Sequence, residues 1–104
     1  MSSINTLTPE TKLADEIKSK GITVVDYYAD WCGPCNMLSP IMNRLAEIDG
    51  VTVIKVNTED HVELSSEQNI SNLPTIQFYK DGKLVKEQKG VAPMPVLQKI
   101  LEDL

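Results

Sequence analysis

The stretch VVDYYADWCGPC, residues 24–35, passes directly from a strand pattern into a helix pattern. Its first half belongs to residues 22–29, an apolar segment rich in β-branched and aromatic residues that predicts a buried strand. Its second half opens a helix predicted from about residue 32 to about 49, with Pro40 inside it and an apolar face. That face comprises Leu38, Ile41, Met42 and Leu45. A buried strand leading into such a helix indicates an α/β domain.

Strand and helix patterns alternate along the rest of the chain. Further strands are predicted at residues 3–7, 51–57, 75–79 and 84–88, and further helices at about 9–20, about 60–68 and 95–104. Thr8 is the expected cap of the first of these helices, and Asp60 with Glu63 resembles a capping box for the second. The last helix is expected to bury Val96, Leu97, Ile100 and Leu101, and Met37, Met42 and Met94 are expected to fill the core.

The connections predict how the strands pair. Asp81-Gly82 favours a tight hairpin, so the last two strands should be antiparallel, whereas helical crossovers imply parallel pairs earlier in the chain. The expected fold is therefore α/β, with a central mixed sheet of four to five strands flanked by four helices.

Length and charge exclude several classes of protein. The chain has 104 residues, which fits one domain, residues 1–104. Its formal charge of -5 argues against a nucleic-acid or anionic-membrane partner held by electrostatics. No apolar run approaches the ~20 residues of a membrane span, and the first residues lack a signal-peptide pattern. We therefore expect a cytoplasmic protein.

The cysteine count points to reactivity. The two cysteines, Cys32 and Cys35, are too few for a disulfide scaffold, and a bridge across so short a loop removes little entropy from the unfolded chain. A structural zinc site needs about four ligands, and His61 is distant in sequence. The alternative, half of a metal site, is thus less favoured than a redox pair, and no metal is expected.

Trp31-Cys32-Gly33-Pro34-Cys35 lies where the strand becomes the helix. Free N–H groups and the helix dipole at a helix N-terminus stabilise a thiolate, the reactive form of cysteine. Cys32 should therefore sit at that terminus with its sulfur exposed, while Cys35 lies one turn further in and is more shielded. Gly33 and Pro34 are compatible with a tight first turn that brings the two sulfurs together.

At these residues the sequence resembles the thioredoxin family. The motifs that carry the resemblance are residues 24–35, Pro40, Leu73-Pro74-Thr75, Asp81-Gly82 and Gly90. The resemblance implies a protein-disulfide reductase that contributes to cell redox homeostasis, with no bound cofactor beyond the Cys32–Cys35 disulfide. Cys32 would attack a substrate disulfide, Cys35 would resolve the mixed disulfide, and a thioredoxin reductase, either flavin-dependent or ferredoxin-linked, would restore the dithiol.

The resemblance also implies roles for residues around the cysteines. Asp26 interrupts a buried strand and is either a strand-end or edge charge that reaches solvent or a buried carboxyl group. If it is buried, desolvation would favour its neutral form, so it could exchange protons with Cys35. Lys55 either balances Asp26 or is simply a solvated strand residue. Pro74 resembles the family's cis-proline, which would expose the backbone of Leu73 to an extended substrate; the alternative is a trans proline at an ordinary strand entry. The residues expected at the docking surface are Trp31, Gly33, Pro34, Leu73, Pro74, Thr75, Gly90 and Val91.

The chain departs from the family pattern at three places. Asn36 stands where many members carry Lys or Arg, and no basic residue occurs between Lys20 and Arg44. We therefore expect a site without a positive rim, which selects partners through apolar and backbone contacts. Tyr28 stands where Trp is common, and Pro93 and Pro95 replace a polar helix cap.

Two other functions compete with a redox enzyme. A thioredoxin-like binding module without turnover would not need both cysteines, and a metal-binding domain would need further ligands. A disulfide-reduction assay with a Cys32→Ser variant discriminates among these functions. The expected protein is a monomer with disulfide-containing substrate proteins as partners.

Overall fold

A computed structural model describes residues 3–104 of the chain. The strands are β1 (Ser3–Thr6), β2 (Ile22–Tyr28), β3 (Val51–Asn57), β4 (Thr75–Lys80) and β5 (Lys83–Lys89). The helices are α1 (Leu13–Glu16), α2 (Gly33–Leu45), α3 (Val62–Glu67) and α4 (Met94–Glu102). The order β-α-β-α-β-α-β-β-α agrees with the sequence prediction.

The five strands form one mixed sheet in the order β1-β3-β2-β4-β5. β1 and β2 both pair with β3 in parallel, as the helical crossovers predict. β4 pairs antiparallel with both β2 and β5, the latter through the predicted hairpin. Asp81 and Gly82 have φ angles of 52° and 87°, as a type I′ turn requires. The predicted mixed sheet with four helices is confirmed.

The two faces of the sheet bury different clusters because side chains alternate along each strand. Val24 of β2 packs in a core with Leu38 and Met42 of α2. Val25 and Tyr27 pack on the opposite face with Leu13 of α1. Position 26 therefore points toward α2, which fixes where its carboxyl group lies.

The first helix is shorter than predicted, since α1 begins at Leu13 rather than near residue 9. Thr8 does not cap it, because the Thr8 hydroxyl bonds the Thr11 hydroxyl at 2.6 Å and the Thr8 carbonyl accepts from the Thr11 N–H at 3.1 Å. At the other end, the Lys18 N–H donates to the Thr23 hydroxyl at 3.1 Å instead of continuing the helix.

The predicted capping box is also wrong, because α3 begins at Val62 after His61, without a side-chain cap. Asn57, at the end of β3, organises this turn instead. Its side-chain oxygen accepts from the Glu59 N–H at 2.9 Å, and its carbonyl accepts from the N–H groups of Asp60 and His61. An asparagine that bonds a nearby backbone group offers the chain this alternative to a cap.

The boundaries and faces of α2 and α4 also differ from the prediction. α2 ends at Leu45 rather than near residue 49, and α4 begins at Met94 rather than Pro95. In α4, Leu97 is fully buried, but Val96 is 43% exposed and lies on the solvent side. Met37 is 68% exposed and is not core filler, because it lies on the outer side of α2.

Candidate active site

The two cysteines lie at the junction between β2 and α2, as the sequence predicts. Cys32 is the N-cap of α2, with Pro34 in the first turn, and its sulfur accepts a hydrogen bond from the Cys35 N–H at 3.2 Å. Cys32 and Cys35 form a disulfide, with a Cα–Cα distance of 5.2 Å. The first turn of the helix thus directs a backbone N–H at the Cys32 sulfur, which favours negative charge there.

The expected exposure of Cys32 is wrong for the disulfide form. Cys32 and Cys35 are each only 4% exposed, because they pack together with Ala29. The two cysteines differ instead in what they face. Cys32 lines an open depression of about 480 Å³, and Cys35 is not among its lining residues.

The depression brings together part of the predicted docking surface. Trp31, Gly33, Pro34 and Leu73 line it with Cys32, and Trp31 is 72% exposed. The remaining lining residues are ones that the sequence analysis missed: Thr58, Ile70, Ser71 and Asn72. Residues 70–72 directly precede Leu73-Pro74, so their proximity in sequence to the predicted docking residues could have indicated that they line the depression.

Other predicted docking residues lie beside the depression or beneath it. The Leu73–Pro74 peptide bond is cis, and Pro74 is buried with its carbonyl accepting from the Gly90 N–H at 2.8 Å. Thr75 is buried, and its hydroxyl donates to the Asn72 carbonyl. Val91 is partly exposed but does not line the depression.

Asp26 is a buried carboxyl group on the α2 face of the sheet. It is 1% exposed, and its Oδ1 has no hydrogen-bond partner among the described residues. Burial raises the pKa of Asp26 to about 6, and the positive charge of Lys55 lowers it in part. Burial dominates because removing a carboxylate from water disfavours its charged form.

Lys55 lies directly across from Asp26 in the β2–β3 register, but its ammonium bonds elsewhere. Nζ donates to the Ser39 hydroxyl at 3.1 Å and lies 4.9 Å from the centre of the Tyr28 ring. The side chain is half-buried, so it is not a freely solvated lysine. The structure therefore places a cation near Asp26 without a direct ion pair between them.

The surroundings of Tyr28 are acidic. Burial raises the pKa of Tyr28 above its usual value, and the charges of Asp30, Asp60 and Asp26 raise it further. Three carboxyl groups therefore act on Tyr28, and the cation beside it is Lys55, which is distant in sequence from the β2–α2 junction.

Two further properties bear on the site. Within residues 3–104, no group of three or more His, Cys, Asp or Glu side chains is placed to hold a metal ion. In the same part of the chain, none of the helices has the length and apolar character needed to cross a membrane.

Comparisons with known proteins identify the family. The family model described as Thioredoxin matches residues 4–103. This chain belongs to the thioredoxin family. It is 34% identical over 104 residues to thioredoxin 1 of Synechococcus elongatus, covering 98% of this chain and 97% of the relative. It is 36% identical over 93 residues to a thioredoxin of Chlamydia trachomatis, covering 88% and 90% of the two chains.

Solved structures of the family share the fold. A mutant thioredoxin from Halobacterium salinarum superposes with a TM-score of 0.88 at 31% identity, covering 97% of this chain and 89% of that one. Oxidised mitochondrial thioredoxin 3 from Saccharomyces cerevisiae gives a TM-score of 0.84 at 32% identity, covering 97% and 95%. Family membership and the Cys32–Cys35 pair make this chain a protein-disulfide reductase.

Proposed function

We propose that Cys32 is the attacking thiolate and Cys35 the resolving thiol of this reductase. The Cys32 thiolate attacks one sulfur of a substrate disulfide, forming a mixed disulfide and releasing the other substrate sulfur as a thiolate. The Cys35 thiolate then attacks the Cys32 sulfur, which forms the Cys32–Cys35 disulfide and frees the second substrate sulfur. The observation that carries this assignment is that Cys32, unlike Cys35, lines the open depression.

Asp26 supplies the base for the second step. Its carboxylate takes the proton of the Cys35 thiol, because a thiol must ionise before it attacks. The position of Asp26 on the α2 face and its raised pKa of about 6 support this role, since a base works best when its pKa lies near the working pH. Lys55 supports Asp26 by supplying a nearby positive charge.

The substrate docks on the surface formed by Trp31, Gly33, Pro34 and Leu73. Gly90 and Val91 flank this surface. The buried residues Pro74 and Thr75 position the Leu73 segment, through the bond from the Gly90 N–H to the Pro74 carbonyl and the bond from the Thr75 hydroxyl to the Asn72 carbonyl. Within the described chain Leu73 belongs to no strand pair, so its backbone is free to pair with an extended substrate. Gly33 and Pro34 present little side chain, which allows a substrate sulfur to approach Cys32.

The partners follow from this mechanism. They are disulfide-containing substrate proteins and a thioredoxin reductase, flavin-dependent or ferredoxin-linked, that returns the disulfide to the dithiol. We propose that the chain acts in the cytoplasm as a single domain, residues 1–104, and as a monomer. It needs no bound cofactor or metal, and it neither binds nucleic acid nor attaches to a membrane.

A Cys35→Ser variant tests the assignment of the two thiols. It should accumulate mixed disulfides on Cys32, because the first attack proceeds and the resolving thiol is missing. Partners are captured from cell extract, separated on non-reducing gels and released with dithiothreitol. The control, Cys32→Ser with Cys35 intact, should trap far less. Equal trapping by the two variants would show that Cys35 also attacks substrates.

An Asn36→Lys variant tests the absence of a positive rim. The added cation, next to Cys35 at an exposed position of α2, should change kcat/KM for charged substrate proteins about 3- to 10-fold at low salt. The effect should fade as ionic strength rises. Gln98→Lys is the matched control, because Gln98 lies on α4 near Ile22, at the opposite end of β2. Unchanged rates, or a change in rate that does not depend on ionic strength, would contradict the hypothesis.

A further inference from the structure

Asp26 and Lys55 are a hydrogen-bond acceptor and a donor that lie near each other but form no hydrogen bond. The Asp26 Oδ1 is buried without a hydrogen-bond partner among the described residues, and Lys55 lies in the paired position of the next strand. Paired positions on neighbouring strands hold their Cβ atoms about 5 Å apart, well within the reach of a lysine side chain. A buried unpartnered carboxyl oxygen is costly, and a hydrogen bond from the ammonium would relieve that cost. The structure instead shows the Lys55 ammonium bonded to another group, which restrains it.

Ser39 supplies this restraint from α2. Its hydroxyl accepts from the Lys55 Nζ at 3.1 Å and, within the described chain, is the only hydrogen-bond acceptor that the ammonium uses. Ser39 lies four residues after Cys35, one helical turn away on the same side of α2. The Tyr28 ring centre lies 4.9 Å from the same nitrogen, a distance at which the ring face attracts the cation.

We propose that Ser39 is a positioning residue that holds the Lys55 ammonium off the Asp26 carboxyl group and leaves Oδ1 free for the proton exchanged with Cys35. This inference rests on the proposed role of Asp26 as the base for Cys35. With Lys55 bonded to Ser39, the positive charge acts on Asp26 only from a distance. If Lys55 bonded Oδ1 directly, it would stabilise the carboxylate, and Asp26 would be a weaker base.

The charges that act on Asp26 can be named, so the effect of Ser39 can be isolated. Lys55 of β3 lies opposite Asp26 and lowers its pKa, and Tyr28 of β2 is affected by the Asp26 charge. Cys35 and Ser39 belong to α2, the helix packed on the same face of the sheet. The Asp26 neighbour on β4 is Ile76, which carries no charge. Among these groups only Lys55 is a cation.

The test is an NMR titration of the Asp26 carboxyl carbon in the oxidised protein. In Ser39→Ala the freed ammonium should reach Oδ1 and lower the midpoint by about one pH unit, as expected for an opposite charge brought within about 4 Å. Ser39→Thr keeps a hydroxyl and should titrate like the parent chain. Ser66→Ala, an exposed serine of α3, is the matched control and should not change the midpoint.

A double-mutant cycle separates the action of Lys55 from a general disturbance of α2. Lys55→Met should raise the Asp26 midpoint, because the attracting charge is lost, and adding Ser39→Ala to it should change nothing further. A midpoint that stays the same or rises in Ser39→Ala overturns the proposal. A fall of equal size in the Lys55→Met background also overturns it, since Ser39 would then act without the lysine.

The pH profile of disulfide reduction distinguishes this inference from the role of Asp26 itself. If both hold, the rising limb of the rate moves to lower pH in Ser39→Ala together with the NMR midpoint. If the midpoint falls and the limb does not move, Ser39 still positions Lys55, but Asp26 is not the base for Cys35.

Discussion

A Cys32→Ser variant should reduce insulin disulfides no faster than dithiothreitol alone. A serine hydroxyl is not ionised near neutral pH and cannot form a mixed disulfide, so the variant lacks the first step of the exchange. Removing a nucleophile of this kind lowers turnover by about three orders of magnitude or more. The measurement compares the rate of insulin precipitation for the two chains at equal concentration of dithiothreitol.

The control for this prediction is the fold of the variant. Serine at position 32 still offers an oxygen to the Cys35 N–H, so α2 should keep its N-cap. Circular dichroism and thermal unfolding under reducing conditions should therefore match those of the reduced parent chain. Equal rates of insulin reduction in the two chains would contradict the reductase mechanism and favour a binding module. Tight zinc binding would favour a metal-binding domain.

The central elements of the fold could be predicted because their signals are local. The β2–α2 junction, the strand at residues 51–57 and the Asp81-Gly82 hairpin each follow from residues adjacent in sequence. The limits of α1 could not be predicted in this way. The C-terminal end of α1 depends on the Lys18 N–H donating to the Thr23 hydroxyl, a contact that exists only once β2 is in place. In the local sequence, Thr8, Pro9 and Gly21 indicate a helix, but nothing there indicates that the Thr23 hydroxyl competes for the Lys18 N–H.

In the site, too, the features set by local sequence could be predicted and those set by long-range contacts could not. The cysteines, Asp26 and the cis bond before Pro74 were predicted from motifs, and the raised pKa of Asp26 agrees with its position in a buried strand. Ser39 was missed, because its contact joins α2 to β3 and depends on how the helix lies over the sheet. The burial of Cys32 was missed, because a motif gives the spacing of two sulfurs but not what covers them.

An Asp26→Asn variant should be more stable than the parent chain at neutral pH, but not in acid. The pKa of Asp26 is about 6 in the folded chain, against an ordinary value of 3.8, so folding favours the protonated form. Below pH 3.8 the carboxyl group is neutral in both states, and its burial carries no charge penalty. As the pH rises from there through about 6, the unfolded chain releases the proton first and the folded state loses stability. Above that range the penalty is constant.

The size of this penalty follows from the pKa difference. At 1.36 kcal/mol for each pH unit, it is about 3 kcal/mol at neutral pH and above. The asparagine amide stays neutral, so Asp26→Asn avoids the penalty, and urea unfolding at pH 8 and pH 4 measures the difference. Asp49→Asn, at an exposed position, is the control and should change stability little at either pH. Equal stability of Asp26→Asn and the parent at pH 8 would mean that the buried carboxylate is compensated, and Lys55 would then have to reach it directly.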